Sequence, residues 1–271
     1  MSTYNHKIKK IILESKKNLC IGLDPDENLI PIGYEKNIKG IYQFLIEIIE
    51  HTFEFAVAYK LNFAFYESYG KEGWEIVEKL LKYFRNQKSE KILIADAKRG
   101  DIGNTSKKYA KAFFEYFDFD AITLHPYMGE DTILPFLEYR NKGSIVLCLT
   151  SNPSNKDFEL YGDPPLYEVV ANKIVEWNKK YDNVWAVVGA TNDIKYIKRI
   201  SEILSDIPIL VPGVGAQGGD LETIMTYFKN RAIINIGRSI LYASDQRENL
   251  QKKINEYINN YYKTINRFIN D

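Results

Sequence analysis

Four charged residues of alternating sign, Lys60, Asp96, Lys98 and Asp101, fall at the ends of two apolar runs, FAVAYKL at 55–61 and KILIADA at 91–97. Charges placed directly after apolar strands are costly to bury unless they are paired. Asp96 and Lys98 are two residues apart, which puts both on one side of a strand, and Asp101 lies just beyond. The set is either a structural ion-pair network at the rim of a fold or a group of fixed charges that acts on a bound molecule. A second constellation is glycine-rich: GVGAQG at 213–218, with GRS at 237–239. Backbone N–H groups of such a loop and of a following helix can face an anion. Arg238 can add a bidentate fork, and Gln217 a neutral donor. The same six residues match the GxGxxG pattern of dinucleotide-binding folds. That pattern belongs in the first βα turn with an acid about 20 residues later, whereas here it falls in the seventh unit and no acid follows at that distance. Arg238 remains as a partner for a 2′-phosphate. Glycines that serve tight turns alone are the third reading.

Other apolar runs also end in polar residues. LCIGL (19–23) leads into Asp24-Pro25-Asp26, the second run into Asn62, and AITLH (121–125) ends in His125. SIVLCLT (144–150) leads into Ser151 and Asn152, and VWAVVGA (184–190) into Thr191 and Asn192. His125 reads as a rim residue with a local hydrogen bond, because no acid–base partner accompanies it in sequence. Phe63, Phe65, Tyr66 and Tyr69 read as packing rather than ligand stacking. The two cysteines, Cys20 and Cys148, read as buried hydrophobes in a reducing compartment. The three histidines (His6, His51, His125) are scattered and no HExxH or CxxC occurs, so no metal site is expected.

The elements that must position these residues follow from hydropathy. Eight β-branched runs are bounded by turn residues: the six above, PILV at 208–211 and AIINIG at 232–237. Several are apolar at consecutive positions, as in parallel strands buried on both faces. Amphipathic stretches at 38–50, 72–84, 105–116, 166–180, 194–204, 221–228 and 247–265 follow or separate them, and a weaker one at 132–139 carries Pro135. Successive runs start 23 to 40 residues apart, room for one βα unit each. The pattern predicts an α/β protein, a (β/α)8 TIM barrel forming a single domain over 1–271, with an N-terminal helix at about 7–15 capping the bottom. In that architecture chemistry sits at the C-terminal ends of the strands. The segment SNPSNKDFELYGDPP (151–165) is long enough for a lid, or it is a plain surface excursion. Ser151 ends its strand directly, while 155–159, polar and rich in turn residues, is expected to tolerate change better.

The 271 residues carry 36 basic and 36 acidic side chains. That balance argues against a nucleic-acid-binding surface, and 45% hydrophobic with 14% aromatic residues excludes a disordered chain. No run approaches the ~18 apolar residues of a membrane span, and the N-terminal stretch lacks the ~7–15-residue apolar region of a secretory signal. A cytoplasmic protein acting on a small molecule, with no nucleic acid and no membrane as partner, is expected.

At 96–105 the chain reads DAKRGDIGNT, which resembles the DxKxxDI signature of the orotidine 5′-phosphate decarboxylase family. LDPD (23–26), KLNFAFYE (60–67), LTSNP (149–153), VPGVGAQGG (211–219) and GRS (237–239) agree in order and spacing over nearly the whole chain. The DAKRGD and GAQGG wording is similar to the branch found in many bacteria and some protists. The seventh loop lacks the aromatic that related sequences often carry after the first glycine. No fused phosphoribosyltransferase accompanies the match, so one reaction step is expected.

The resemblance implies cofactor-independent decarboxylation of orotidine 5′-monophosphate to UMP and CO2, the last step of de novo pyrimidine synthesis. It also implies a homodimer in which Asp101 and Thr105 reach into the partner's site. Its implied roles are specific. Lys98, protonated between Asp96 and Asp101, stabilises the C6 carbanion and protonates it. Asp96 lies beside the substrate carboxylate, and Lys60 holds Asp96 and contacts the ribose. Asp24 and Thr105 bind ribose hydroxyls, and Asn62 joins the substrate-binding set. Ser151 and Asn152 read the pyrimidine edge. Gln217, Gly237 and Arg238 bind the phosphate. Two other readings compete. One is a metal-dependent 3-keto sugar-phosphate decarboxylase or aldolase on the same barrel, for which Glu67 is the obvious extra acidic ligand. The other is a catalytically dead phosphate-binding or scaffold barrel.

Overall fold

Alternation along the apolar runs divides their side chains between two cores. In the computed structural model, which describes residues 3–87, 90–215 and 218–269, the runs form β1 (Leu19–Gly22), β2 (Ala58–Asn62), β3 (Ile92–Arg99), β4 (Ala121–Leu124), β5 (Gly143–Leu149), β6 (Val184–Val188), β7 (Ile209–Val211) and β8 (Ala232–Ile236). They pair in sequence order, all parallel, and β8 pairs with β1 to close the barrel. Cys20, Ala58, Ile94, Trp185, Leu210 and Ile233 belong to the inner core. Their strand neighbours Ile21, Tyr59, Ala95, Ala186, Val211 and Ile234 belong to the layer packed under the helices. One-residue alternation on a strand produces this division, and both faces are buried because helices cover the outside.

The covering helices are α1 (Tyr4–Ser15), α2 (Ile38–Thr52), α3 (Phe63–Glu67), α4 (Gly70–Asn86), α5 (Gly103–Lys111), α6 (Glu130–Leu137), α7 (Leu166–Tyr181), α8 (Ile194–Ile203), α9 (Leu221–Phe228), α10 (Arg238–Leu241) and α11 (Arg247–Ile269). The barrel and its surrounding helices are the (β/α)8 arrangement expected from the run spacing. Helix α1 closes the N-terminal end of the barrel: Tyr4, Ile8 and Ile12 join the inner core, and Trp185 Nε1 donates to Asn5 Oδ1 at 2.6 Å. The opposite, C-terminal end is thereby left as the open mouth.

Several boundaries differ from the sequence expectation, each for a local reason. Residues 55–57 are not in β2, because the N–H groups of Phe55 and Ala56 turn back to the Thr52 carbonyl at the end of α2. Strand β3 runs on to Arg99 through an irregular stretch. The 105–116 helix begins at Gly103 and ends in a π-helical turn, Ala112–Tyr116, which buries both Phe113 and Phe114. Helix α6 forms with Pro135 inside it. Helices α3 and α10 are too short to leave a periodic signal. Among the described residues, no helix is long and apolar enough to cross a membrane.

Candidate active site

The mouth is organised around the irregularity in β3. Ala95 pairs with Ile122 and Arg99 with Leu124, so residues 96–98 all oppose Thr123. Two extra residues in one strand cannot keep the pleat, and Lys98 takes φ 47°, the left-handed region that costs a non-glycine residue about 1–2 kcal/mol. Thr123 stitches the bulge together. Its hydroxyl donates to Asp96 Oδ1 at 2.9 Å and accepts the Lys98 N–H at 3.0 Å.

Side chains from three strands converge there. Lys98 Nζ donates to Asp96 Oδ1 at 2.7 Å, and Lys60 Nζ donates to Asp96 Oδ2 at 2.9 Å. Lys60 Nζ also stands 3.6 Å from Asp24 Oδ2, and Asp24 Oδ1 accepts the Asn62 N–H at 3.1 Å. The register produces this convergence: Gly22 lies opposite Lys60, and Asn62 opposite Asp96. Tyr66 of α3 donates to the Leu23 carbonyl at 2.6 Å, which fixes the chain just before Asp24.

Burial alone would raise the Asp96 carboxyl, but Lys60 and Lys98 outweigh it and hold the group well below the usual carboxylate range. Burial would likewise strip the Lys60 proton, yet Asp24 and Asp96 keep its ammonium above the ordinary range. At Asp24 burial wins over Lys60, with Asp96 adding to it, and the carboxyl is pushed up. The side chain of Lys60 is 5% exposed and that of Lys98 49%. Lys60 is therefore set as a buried counter-ion, whereas the Lys98 ammonium is half-exposed at the mouth, bonded to Asp96.

A cleft of about 200 Å³ opens beside this array. Asp24, Lys60, Asn62 and Asp96 form one wall; residues 212–214, Gly237, Arg238 and Ser239 form another, with Asn235 contributing from β8. The glycine-rich loop reaches this wall with Gly213 and Gly215 at φ 94° and 83°, a conformation in which a side chain is strained. Tight turns and a place at the cleft are thus the same feature. The dinucleotide reading fails on topology, because a closed barrel has no crevice between diverging strands of an open sheet.

The structure brings together Lys60, Asp96, Lys98, Asp24, Asn62, Gly237 and Arg238. Four expected residues stand elsewhere. The Asp101 carboxylate accepts the Ile102 N–H at 2.7 Å, and Thr105 is exposed on the first turn of α5; neither lines the cleft of its own chain. Ser151 and Asn152 also lie outside its walls: the Ser151 carbonyl accepts the Thr191 hydroxyl at 2.8 Å, and the Asn152 side-chain amide lies 2.7 Å from the Thr150 hydroxyl oxygen. Gln217 lies outside the described residues.

The expectation that 155–159 tolerates change needs correction. Both Glu159 carboxylate oxygens accept from Thr150, one from its N–H and one from its hydroxyl, each at 2.7 Å, and Asn155 Nδ2 donates to the Thr150 carbonyl at 2.8 Å. This stretch fastens the loop to the end of β5. Glu67, the candidate metal ligand, is paired with Arg99. Among the described residues, no group of three or more His, Cys, Asp and Glu side chains is placed to hold a metal ion. His125 Nε2 lies 3.0 Å from the Gly100 carbonyl oxygen, the local bond expected of it. Phe63 and Tyr66 are buried in the outer core, as are Cys148 there and Cys20 inside the barrel.

Thr123 and Asn235 escaped the sequence reading. The signal existed: each is a polar residue inside an otherwise apolar run, at the inward parity of its strand. The arrangement as a whole can hold an anionic group near Arg238 while a reacting carbon lies against the Lys98 ammonium and the Asp96 carboxylate.

Three comparisons bear on that chemistry. A family model described as orotidine 5′-phosphate decarboxylase / HUMPS family matches residues 17–253. A Dehalococcoides mccartyi protein named orotidine 5′-phosphate decarboxylase is 43% identical over 273 aligned residues, covering 95% of this chain and 97% of the relative. One of the same name from Phocaeicola vulgatus is 45% identical over 244, covering 88% and 89%. The solved structure of Leishmania donovani OMP decarboxylase superposes with a TM-score of 0.78 at 34% identity, over 93% of this chain and 97% of that one.

Proposed function

The chain belongs to the orotidine 5′-phosphate decarboxylase family and is an enzyme of that family, and from this premise we propose that fixed charges at its barrel mouth convert orotidine 5′-monophosphate to UMP and CO2 without cofactor or metal. The observation that carries the proposal is the buried Asp96 carboxylate held between two ammonium groups, Lys60 buried in the cleft wall and Lys98 half-exposed beside it. Breaking the C6–carboxylate bond leaves an electron pair on C6 of the pyrimidine. Lys98 stabilises that charge and then gives its proton to C6, so that a C6–H bond replaces the lost carbon, and solvent reprotonates the amine. Asp96 faces the departing carboxylate. Two like charges ~4 Å apart repel by about 4 kcal/mol at an effective dielectric of ~20, and loss of CO2 relieves this repulsion. Lys60 keeps Asp96 ionised, while Asp24 and Asn62 take the ribose hydroxyls. Ser151 and Asn152 read the pyrimidine edge once the 151–165 loop has moved over the ligand.

The phosphate goes to Gly237, Arg238 and Gln217. Arg238→Ala is expected to raise KM by about 10²-fold, the loss of one charge-assisted fork, with a smaller effect on kcat. On orotidine, which lacks the phosphate, variant and parent should be almost equal. Equal impairment on both substrates would remove Arg238 from phosphate binding.

Asp101 and Thr105 act across a homodimer in this reading. Thr105 is exposed on the first turn of α5 and Asp101 is partly exposed just before it, which leaves both accessible to a second chain. Each chain then serves as one barrel domain in a cytoplasmic dimer.

A further inference from the structure

The conformation of Lys98 depends on one peptide plane, the Ala97–Lys98 peptide, because its orientation sets the Lys98 φ of 47°. Side chains grip that plane at both edges. Its N–H donates to the Thr123 hydroxyl at 3.0 Å, and its carbonyl accepts Arg99 Nη1 at 2.7 Å. The Arg99 guanidinium is itself fixed. Its Nη2 is bonded to Glu67 of α3, and its face lies 5.3 Å from the Tyr109 ring centre and 5.5 Å from that of Phe113. The Arg99 carbonyl accepts the His125 N–H at 3.0 Å. One donor, Nε, is buried without a partner. A side chain seeking only its own hydrogen bonds would not leave it so; the grip on Ala97 and Glu67 sets the geometry.

We propose that Arg99 is a positioning residue for Lys98: by holding the Ala97 carbonyl it keeps the following residue in the left-handed conformation that returns Lys98 Nζ to Asp96. The inference rests on the reading of Lys98 as the proton donor. A planar fork suits the task, since two donors at a fixed angle bridge a carbonyl in its own strand and a carboxylate on the neighbouring unit, whereas an ammonium is a point charge on a flexible stem. Without the fork, the Ala97–Lys98 peptide is free to turn, and β3 relaxes toward an extended strand with Lys98 displaced. Substrate affinity is unaffected, because Asp24, Asn62 and Arg238 do not touch Arg99.

Arg99→Met keeps an unbranched side chain beside the two rings and removes the guanidinium donors. It is expected to lower kcat for orotidine 5′-monophosphate tenfold or more, with KM and the affinity for UMP within threefold of the parent. In a Lys98→Ala background, followed by single turnover at high enzyme concentration, the same substitution should cost less than a further twofold, since the group it positions is gone. Losses that multiply fully in that background, or UMP affinity that falls in step with kcat, would overturn the proposal, because general damage to the mouth produces both. If Arg99→Met does not fold, Arg99→Lys takes its place. Its single ammonium should leave kcat at least threefold down at unchanged KM, and a parental kcat there counts against the proposal. A crystal structure of the folded variant gives a readout independent of turnover: Lys98 should move to negative φ, and retention near the parental angle contradicts the assignment. A parent chain inactive on orotidine 5′-monophosphate would defeat the functional reading instead and leave the crystallographic test standing.

Discussion

Replacing Lys98 by alanine should lower kcat for orotidine 5′-monophosphate by about 10³-fold or more, while KM changes far less. One group performs two tasks in the proposed mechanism. General acid catalysis contributes roughly 10²–10⁴-fold, and a pre-set positive charge at the developing carbanion contributes a similar factor. The two are not independent, so the larger range sets the expectation. The substitution leaves in place Asp24, Asn62 and Arg238, the residues proposed to hold the ribose and the phosphate. It also removes one of the two cations that hold the Asp96 carboxyl down; Lys60, at 2.9 Å, remains. Asp96 therefore stays ionised near neutral pH, and its repulsion of the substrate carboxylate persists without relief from Lys98. The measurement is kcat and KM by loss of substrate absorbance, with folding checked by thermal melting. A variant with kcat within tenfold of the parent would show that Lys98 is a rim ion-pair partner and not the proton donor.

Subunits of two inactive variants, Lys98→Ala and Asp101→Ala, should restore one another when allowed to exchange. Asp101 comes three residues after Lys98, past Gly100, and it does not line its own cleft. If it serves the partner's site, one site of a mixed dimer lacks Lys98 and also receives the altered position 101, and is dead. The other site has an intact Lys98 and receives an intact Asp101. Random mixing of equal amounts gives about half mixed dimers, each with one live site, so roughly a quarter of parental activity should return. Recovery is followed over time at constant protein concentration, with exchange verified by mass spectrometry. Exchange without recovery would place both residues in one chain's site.

Much of the barrel was legible because burial on both faces writes itself into a strand as a continuous apolar run, and βα spacing then leaves few topologies. The charge array was legible for a different reason. Period-2 spacing predicts Asp96 and Lys98 on one face, and parallel pairing puts Lys60 beside them. The Asp96 and Lys98 side chains do meet, but through the bulge and the left-handed Lys98 rather than through a regular pleat. The bulge was not legible. Lys98 adopts its backbone conformation because Thr123 and the Arg99 side chain grip the preceding peptide, and no local propensity records such contacts. The 155–159 stretch misled because polarity and turn residues were visible in sequence, while the partner of Glu159, Thr150, is brought to it only by the folded loop. Burial raises the Glu159 carboxyl against the lowering effect of its two Thr150 hydrogen bonds, so the group is partly withdrawn from solvent. Thr123 and Asn235 were overlooked inside apolar runs whose parity marks them as inward. The pairing of Asp101 and Thr105 with another chain came from the family resemblance alone and has no signature in spacing.

In the proposed mechanism fixed charges, with no metal, decarboxylate orotidine 5′-monophosphate. Its most direct test is the loss of orotidylate absorbance by the purified chain after dialysis against EDTA, with UMP identified as product. The expected result is stoichiometric UMP and CO2 at a rate that neither the chelator nor added Mg²⁺ changes. No turnover of this substrate, or turnover abolished by EDTA and restored by Mg²⁺, would contradict the account.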